Sequence, residues 1–368
     1  MTVWKFFKRN TVLCVAALAA LVTCFFVPPS KEYLGYFDLK TLACLFLTLA
    51  VICALKNIKF FTILARKIVM LTGNLRILAL ALVYITFLGS MLIANDMALI
   101  TFLPLGFFAL QVTHNEKHMA YVFILQNISA NLGGMLTPFG NPQNLYLYSY
   151  FNIPTGEFTA IMLPPFLLAV AMLTVACLLL RPTPLSIEKA FPEPLNVRRA
   201  VLYLALFAFS IVIVFRVIPY WIGLIVIPAV LLFVDRKALK SVDYSLLLTF
   251  VMFFIFAGNL SRMDAVQKFV SGLLDRSTLL VSALSCQCIS NVPSAILLSR
   301  FTTNYKELLL GVNIGGTGTL IASLASLITF SEYRLLYPGH GKQYFLLFTV
   351  MNTVFLAVLT AAAYFFFI

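Results

Sequence analysis

The stretch "NLGGMLTPFGNPQN", residues 131–144, interrupts a chain that otherwise consists largely of apolar runs. Its glycines and prolines favour unwound backbone, and its asparagines offer amide donors and acceptors. Unwound backbone at membrane depth is tolerated only where protein buries it or where it lines a polar cavity. The stretch therefore predicts a broken membrane helix over 119–150 that is unwound around 137–141. Polar groups beside the break come from Thr137, Asn141 and Asn144.

Composition places the chain in a membrane. Of the 368 residues, 62% are hydrophobic and 11% are charged, and the apolar runs do not alternate as the strands of a barrel would. The net charge of +13 agrees with a cytoplasmic N-terminus, because most Lys and Arg then fall near the inner face. Nucleic acid is therefore not expected as a partner. Residues 1–30 resemble a signal peptide, but they lack a clear small-residue cleavage site, so we expect a retained first helix.

The chain contains two related halves. "NIGGTGTLIASLAS", residues 313–326, repeats the pattern of the first break. Upstream, "ANDMALITFLP" from Ala94 aligns with "SNVPSAILLSR" from Ser290, and Asp38 aligns with Asp243. Landmarks that recur in the same order predict an internal duplication, and such repeats are often inverted across the membrane in transporters.

We expect an all-α polytopic membrane protein with two inverted-topology repeats, each with a re-entrant hairpin and a broken transmembrane helix. The predicted boundaries are 1–180 for the first repeat (hairpin 77–111, broken helix 119–150), 181–199 for a cytoplasmic linker, and 200–368 for an extra span plus the second repeat (hairpin 278–302, broken helix 305–332). This arrangement has nine full spans and an extracytoplasmic C-terminus. Reading each hairpin as two ordinary spans gives the same sidedness and stays open.

The hairpin tips carry polar side chains. Asn95 and Asn291 fall at turns between apolar helices, where Asn tolerates unusual dihedral angles. Two tips and two broken helices would enclose one central site. Unwound carbonyls coordinate cations there, and half-helix N-termini attract anions. Asp96 adds a carboxylate, which is either a functional ionisable group or a helix cap.

The pattern "GGMLTPFGNPQN" resembles the Gly-Gly-x-x-Thr-x-x-Gly-x-Pro-x-Asn signature of the ion-transporter superfamily. That group includes divalent-anion:sodium symporters, citrate transporters, arsenite permeases and one class of Na⁺/H⁺ antiporters. "SNVP" is similar to the superfamily's Ser-Asn-Thr tip, and "GGTGTLIASLASLI" is similar to its second-half signature. The resemblance spans nearly the whole chain and implies a dimeric, elevator-type secondary transporter. The first tip, Ala94-Asn95-Asp96, departs from the family pattern because it lacks the hydroxyl groups.

Matched position by position, the resemblance implies two cation sites and a substrate site. The first cation site would use Asn95, Gly140 and Asn141, with Asp96 as an additional carboxylate. The second would use Asn291 and the backbone around Gly315 to Thr319, which includes Thr317. The expected substrate-facing residues are Asn95, Thr137, Pro138, Asn141, Asn144, Ser290, Asn291, Gly316 and Thr319. Na⁺ is the one metal ion expected, and no other cofactor is expected.

The expected function is secondary active transport of a small anion, a di- or tricarboxylate, coupled to Na⁺ or H⁺. Na⁺/H⁺ antiport through Asp96 and arsenite or antimonite efflux remain open within the same fold. An enzyme is not expected, because the spans carry no catalytic constellation, and the two-fold design favours alternating access over a passive channel. The expected partners are the anion, membrane lipid and a second copy of the chain, in a bacterial inner (plasma) membrane.

Overall fold

The structure, a computed structural model, describes residues 10–185 and 194–368. The described residues do not include residues 1–9, which precede the apolar run of the expected first helix. They also do not include residues 186–193 of the predicted linker. Within the described ranges the regular structure is helical, apart from an isolated bridge between Asn74 and Pro184. The predicted all-α fold class is confirmed.

The helices begin where polar residues cap apolar runs. Asp38 illustrates this, because its carboxylate accepts a hydrogen bond from the Thr41 N–H at 3.0 Å. The helices of the first half are α1 Thr11–Phe26, α2 Leu39–Asn57, α3 Phe60–Val69, α4 Leu75–Ile93, α5 Asn95–Val112, α6 Met119–Gly133, α7 Pro142–Tyr150 and α8 Thr155–Leu178. Those of the second half are α9 Val197–Val214, α10 Tyr220–Val234, α11 Arg236–Lys240, α12 Tyr244–Ser261, α13 Asp264–Leu274, α14 Thr278–Ile289, α15 Asn291–Leu298, α16 Tyr305–Ile314, α17 Leu324–Leu336 and α18 Gly341–Ala362.

Seven helices of the described chain are long and apolar enough to cross a membrane. They are α2, α4, α5, α8, α9, α12 and α18, the last extended by a π turn at Ala363–Phe367. Two of the nine spans expected from the sequence, the apolar runs at 11–28 and 219–235, form shorter helices. Within the described residues, α1 has 16 residues and ends before Pro28, and α10 has 15 residues between Pro219 and Asp235.

The two predicted hairpins differ in the lengths of their arms. The arms of the first, α4 and α5, have 19 and 18 residues, or about 27–29 Å, which approaches the thickness of a hydrocarbon core. The arms of the second, α14 and α15, have 12 and 8 residues, or about 12–18 Å, and are too short to cross. The helix α13 meets α14 at a bend of 117°. Re-entry of both hairpins stays a prediction.

The local backbone of the sequence landmarks recurs in the two halves. Asp38 and Asp243 cap α2 and α12 with similar dihedral angles, φ −90° and ψ 86° against φ −76° and ψ 81°. Asn141 precedes α7 with φ −135° and ψ 143°, and Ser323 precedes α17 with φ −146° and ψ 142°. These matches support the duplication, while its inversion across a bilayer stays a prediction.

The second segment of each broken helix packs into the other half of the chain. α7, which follows the first break, contacts α15 and α16, and α17, which follows the second break, contacts α5 and α6. Two outer helices are exchanged in a similar way, because α1 packs on α12 and α10 packs on α2. The centre of the molecule is consequently built by both halves together.

Candidate functional site

Both hairpin tips adopt the same strained turn. Ala94 has φ 63° and ψ 151°, and Ser290 has φ 74° and ψ 158°, a region that residues with a side chain rarely adopt. The next residue then closes the turn. The side-chain oxygen of Asn95 accepts the Asp96 N–H, and that of Asn291 accepts the Val292 N–H, each at 2.9 Å.

Each break is tied to the arm that precedes its tip. In the first half, α6 ends at Gly133, and the Thr137 hydroxyl donates to the Met91 carbonyl at 2.8 Å. In the second, the Thr319 hydroxyl donates to the Gln287 carbonyl at 3.1 Å. Met91 and Gln287 each lie three residues before the strained residue of their tip. The equivalence found in the sequence thus extends to side-chain hydrogen bonds.

A buried cluster of amides joins the two breaks. The Asn131 side-chain oxygen accepts from Asn95 Nδ2 at 3.1 Å and from the Ser323 hydroxyl at 2.8 Å. Asn313 Nδ2 donates to Asn144 Oδ1 at 2.6 Å. No member of the cluster is more than 4% exposed. We call this the amide cluster, and its members are Asn95, Asn131, Asn141, Gln143, Asn144, Asn313 and Ser323.

Several atoms at the site have no partner among the described residues. The acceptors are Asp96 Oδ1, Asn141 Oδ1 and Gln143 Oε1, and the donor is Asn131 Nδ2. Buried polar atoms in native proteins are almost always satisfied, by protein, water or a ligand. Three of these four atoms are oxygen acceptors, the type of ligand that hard cations take.

A cavity of about 320 Å³ lies beside the amide cluster. The wall formed by α1 and α12 is mostly apolar, with Val15, Phe253 and Phe256 among its residues. The rest of the lining combines apolar residues such as Ile289 and Leu324 with polar residues, which are Asn95, Asp96, Gln143, Ser290, Asn291 and Ser323. Asp96 is the one charged side chain among the described residues that line this cavity.

The other predicted residues lie in the breaks. Pro138 and Gly140 are buried at the first break, and a Cβ on Gly140 would lie 2.6 Å from the Thr137 hydroxyl oxygen. Gly316 packs against the second tip, where a Cβ would lie 3.0 Å from Asn291 Nδ2. Thr319 is exposed and lines a second cavity of about 220 Å³. The structure therefore brings most of the predicted residues to one centre, with Thr319 at its margin.

The carbonyls of both breaks already accept hydrogen bonds from amide side chains. Asn144 Nδ2 donates to the carbonyls of Gly134 at 3.1 Å and Met135 at 3.2 Å. Gln287 Nε2 donates to the carbonyls of Gly315 at 2.9 Å and Thr317 at 3.1 Å. The sequence did not single out Gln287, nor did it place Asn131, Gln143, Asn313 or Ser323 in the site.

Four helices begin at this centre, and basic side chains lie away from it. The helices α5, α7, α15 and α17 start at Asn95, Pro142, Asn291 and Leu324, so their positive dipole ends converge there. Arg300 donates instead to the Tyr36 carbonyl at 2.6 Å, and its guanidinium lies 5.2 Å from the ring centre of Tyr150, at the far end of α7. The positive ends of four helices thus lie at the centre, while the Arg300 guanidinium is held elsewhere.

Comparison with known proteins identifies a transporter family and relatives in other organisms. The sequence pattern of the citrate transporter family matches residues 1–306. An uncharacterised transporter of Methanocaldococcus jannaschii is 33% identical over 292 residues, which are 79% of this chain and 80% of that protein. The inner membrane protein YbiR of Escherichia coli is 30% identical over 275 residues, 73% of each chain.

A more distant relative is the silicon efflux transporter LSI3 of Oryza sativa subsp. japonica. It is 31% identical over 163 residues, which are 44% of this chain and 33% of that protein. The family match covers both hairpin tips and the whole first break, and two of these three relatives are named as transporters. The chain is a multi-pass membrane transporter that belongs to the citrate transporter family.

Proposed function

We propose that this secondary transporter moves a small anion, of the di- or tricarboxylate class, coupled to Na⁺ or H⁺ by an elevator-type alternating-access mechanism. The observation that carries the proposal is the amide cluster, which both halves build where the two helices break. A site shared by two repeats can open to one side of the membrane and then to the other when one group of helices moves against the other.

The anion would be held by neutral donors. The four helix N-termini and the amide N–H groups provide positive potential without a Lys or Arg side chain at the centre. The predicted substrate residues Asn95, Thr137, Pro138, Asn141, Asn144, Ser290, Asn291, Gly316 and Thr319 surround this position in our proposal. A dicarboxylate fits such a site because several carboxylate oxygens can accept from several N–H groups at once.

The coupling cation would sit at the first tip. Asp96 Oδ1, Asn141 Oδ1 and Gln143 Oε1 are acceptors without donors, and the charge of Asp96 repels an anionic substrate nearby. A Na⁺ ion or a proton on Asp96 removes that repulsion. Anion and cation then bind together more tightly than either alone, which is the physical basis of coupling.

The movement would occur along the apolar wall. In our proposal the tips and breaks form the moving unit, while α1 and α12 belong to the scaffold. Their side chains at the cavity, such as Val15 and Phe253, are mostly apolar. Apolar contacts are non-directional, so the moving unit can slide along them without breaking hydrogen bonds.

A second candidate is efflux of an uncharged inorganic acid, such as arsenous acid (the protonated form of arsenite) or silicic acid. It is favoured by the relative described as a silicon efflux transporter and by the absence of a cationic side chain among the described residues lining the cavity. A neutral solute would need no counter-charge there. Na⁺/H⁺ antiport with Asp96 as the exchanging group is a third use of the same site.

Thermal stability of the purified protein tests these functions. It is measured with citrate, succinate, arsenite, silicic acid and phosphate, each in NaCl and in choline chloride. A ligand that binds only the folded state raises the melting temperature. We expect a shift with a carboxylate that is larger in NaCl if Na⁺ couples, or equal in both salts if protons couple. A shift with arsenite or silicic acid alone would replace the carboxylate, and a shift with Na⁺ alone would favour antiport.

A further inference from the structure

The second break is closed by the side chain of Gln287, in the last turn of α14. Its Nε2 lies within hydrogen-bond distance of the carbonyls of Gly315 at 2.9 Å, Thr317 at 3.1 Å and Ala283 at 3.0 Å, so its two N–H groups are shared among three acceptors. Its Oε1 accepts the Thr319 N–H at 2.9 Å. The Thr319 N–H fixes the orientation of the amide. If the amide were flipped, its oxygen would face the carbonyl oxygens and its nitrogen would face the Thr319 N–H.

Gln287 Nε2 lies among several carbonyl oxygens. In an unwound segment, a hard cation takes a position of this kind. Gly315 and Thr317 are backbone positions of the predicted second cation site. Their carbonyls face the Gln287 amide in the structure. The residues at the second break therefore do not fit a second Na⁺, because a donor of the protein already satisfies their oxygens.

The backbone accommodates this side chain closely. Gly318 has φ 118°, a conformation that side chains rarely adopt. A Cβ on Gly318 would also lie 2.9 Å from Gln287 Cδ and 3.1 Å from Nε2. Glycine at 318 thus permits both the turn and the approach of the amide, so the loop is shaped around Gln287.

The first half closes its break with a different amide, because Asn144 Nδ2 donates to the carbonyls of Gly134 at 3.1 Å and Met135 at 3.2 Å. The residue equivalent to Gln287 is Met91, whose carbonyl also accepts from the threonine of its break but whose side chain has no N–H. The buried unpartnered acceptors of the amide cluster, Asn141 Oδ1 and Gln143 Oε1, belong to the first half, as does Asp96. The two halves therefore differ in their capacity to hold a cation.

We infer that the Gln287 amide takes the place of the second cation, so that this transporter couples to a single cation, bound at the first tip. The inference rests on the proposed coupled transport. Gln287 acts as a positioning residue, because it holds the break at Gly315 to Thr319 in shape and contacts no coupling ion.

Two substitutions of Gln287 test this role through thermal melting in NaCl, KCl and choline chloride of equal ionic strength. Gln287→Met introduces the residue type that the first half has at the equivalent position, Met91, and removes the amide N–H groups. We expect its melting temperature to fall by about 3 °C in all three salts. Gln287→Glu keeps the shape and adds a charge that repels the carbonyls unless a cation bridges them. We expect it to melt lowest in choline chloride and to recover roughly half of its loss in NaCl or KCl.

Gln126→Met is the matched control, because Gln126 Nε2 donates to the Thr86 hydroxyl and the Phe102 carbonyl away from the breaks. It should lower the melting temperature equally in all three salts. The inference is overturned if Gln287→Glu melts identically in the three salts, or if Gln287→Met melts like the unmodified protein.

Uptake by the unmodified protein in proteoliposomes adds a second measurement. Its dependence on Na⁺ or proton concentration should give a Hill coefficient of about 1, and a coefficient of about 2 would overturn the single cation. If no candidate solute is taken up, the proposed function fails, whereas the melting series still decides the role of Gln287.

Discussion

At the scale of single residues, each tip asparagine closes its turn and also faces the centre of the molecule. Asn95 Oδ1 holds the Asp96 N–H, while its Nδ2 donates to Asn131. Asn291 holds the Val292 N–H, and its backbone N–H donates to the Ala322 carbonyl at 3.0 Å. One residue type thus supports an uncommon backbone and offers polar atoms to a ligand, which explains why Asn occupies both tips.

Alanine at either tip should abolish most transport without unfolding the protein. In Asn95→Ala, Asn131 Oδ1 keeps the Ser323 hydroxyl as donor, and in Asn291→Ala the backbone bond to Ala322 remains. Losing one polar contact to a charged ligand costs about 1.5–3 kcal/mol, so we expect uptake in proteoliposomes to fall roughly 10- to 100-fold. Asn352→Ala, which removes a buried amide on α18, is the control. Normal uptake by either tip variant would contradict the paired-tip site.

Asp96→Asn should separate coupling from transport. The variant removes the one charged side chain among the described residues that line the cavity, so a cation gradient can no longer drive the substrate. We expect accumulation against a gradient to be lost while exchange of internal for external substrate continues. Asp264→Asn, in the first turn of α13, should keep both activities. Accumulation by Asp96→Asn at the normal rate would show that Asp96 does not couple transport to the cation.

Residue by residue, the sequence predicted the tips and the residues flanking the breaks better than the centre. Asn131 and Asn313 had served as landmarks of the duplication, yet their side chains are central members of the amide cluster. The sequence did contain a signal that these two side chains belong to the site, because both fall at the same place in the repeated pattern. Gln287 carried no such signal, since it acts on a loop about 30 residues away that only the fold brings near.

At the scale of elements, the breaks depend on close backbone packing. A Cβ on Gly140 would lie 2.6 Å from the Thr137 hydroxyl oxygen and 2.9 Å from Gly134 Cα. Gly140→Ala should therefore destabilise the protein by about 1–3 kcal/mol, as overpacking does. The measurement is thermal melting. Gly156→Ala, in the first turn of α8 with no atom within 4 Å of the added Cβ, should melt normally. Equal melting of the two variants would show that the break tolerates side chains.

The element boundaries show why breaks are easier to predict than hairpins. Proline and glycine act locally, so the unwinding predicted around 137–141 matches the observed gap between α6 with its short following turn and α7. Re-entry depends on how deep an arm reaches into the bilayer. The residues of the arm alone do not determine this depth. The first pair of arms, α4 and α5, is long enough to span, whereas the second pair is not.

At the scale of the whole molecule, the predicted orientation can be tested by labelling single cysteines in a variant without the native ones. Ser241, between α11 and α12, is predicted to face the cytoplasm, and Thr303, between α15 and α16, to face outward; both are exposed. We expect Thr303→Cys to react with a membrane-impermeant maleimide in intact cells and Ser241→Cys to react only after permeabilisation. The opposite pattern would reverse the orientation.

The exchange of α7 and α17 between the halves also constrains biosynthesis. When α7 leaves the ribosome, the helices that cover it, α15 and α16, have not yet been made. The first half is therefore incompletely packed when it enters the membrane, and it can finish folding only after the whole chain has been made. Two fragments divided in the 181–199 linker should accordingly be short-lived when expressed singly and become protease-resistant when expressed together.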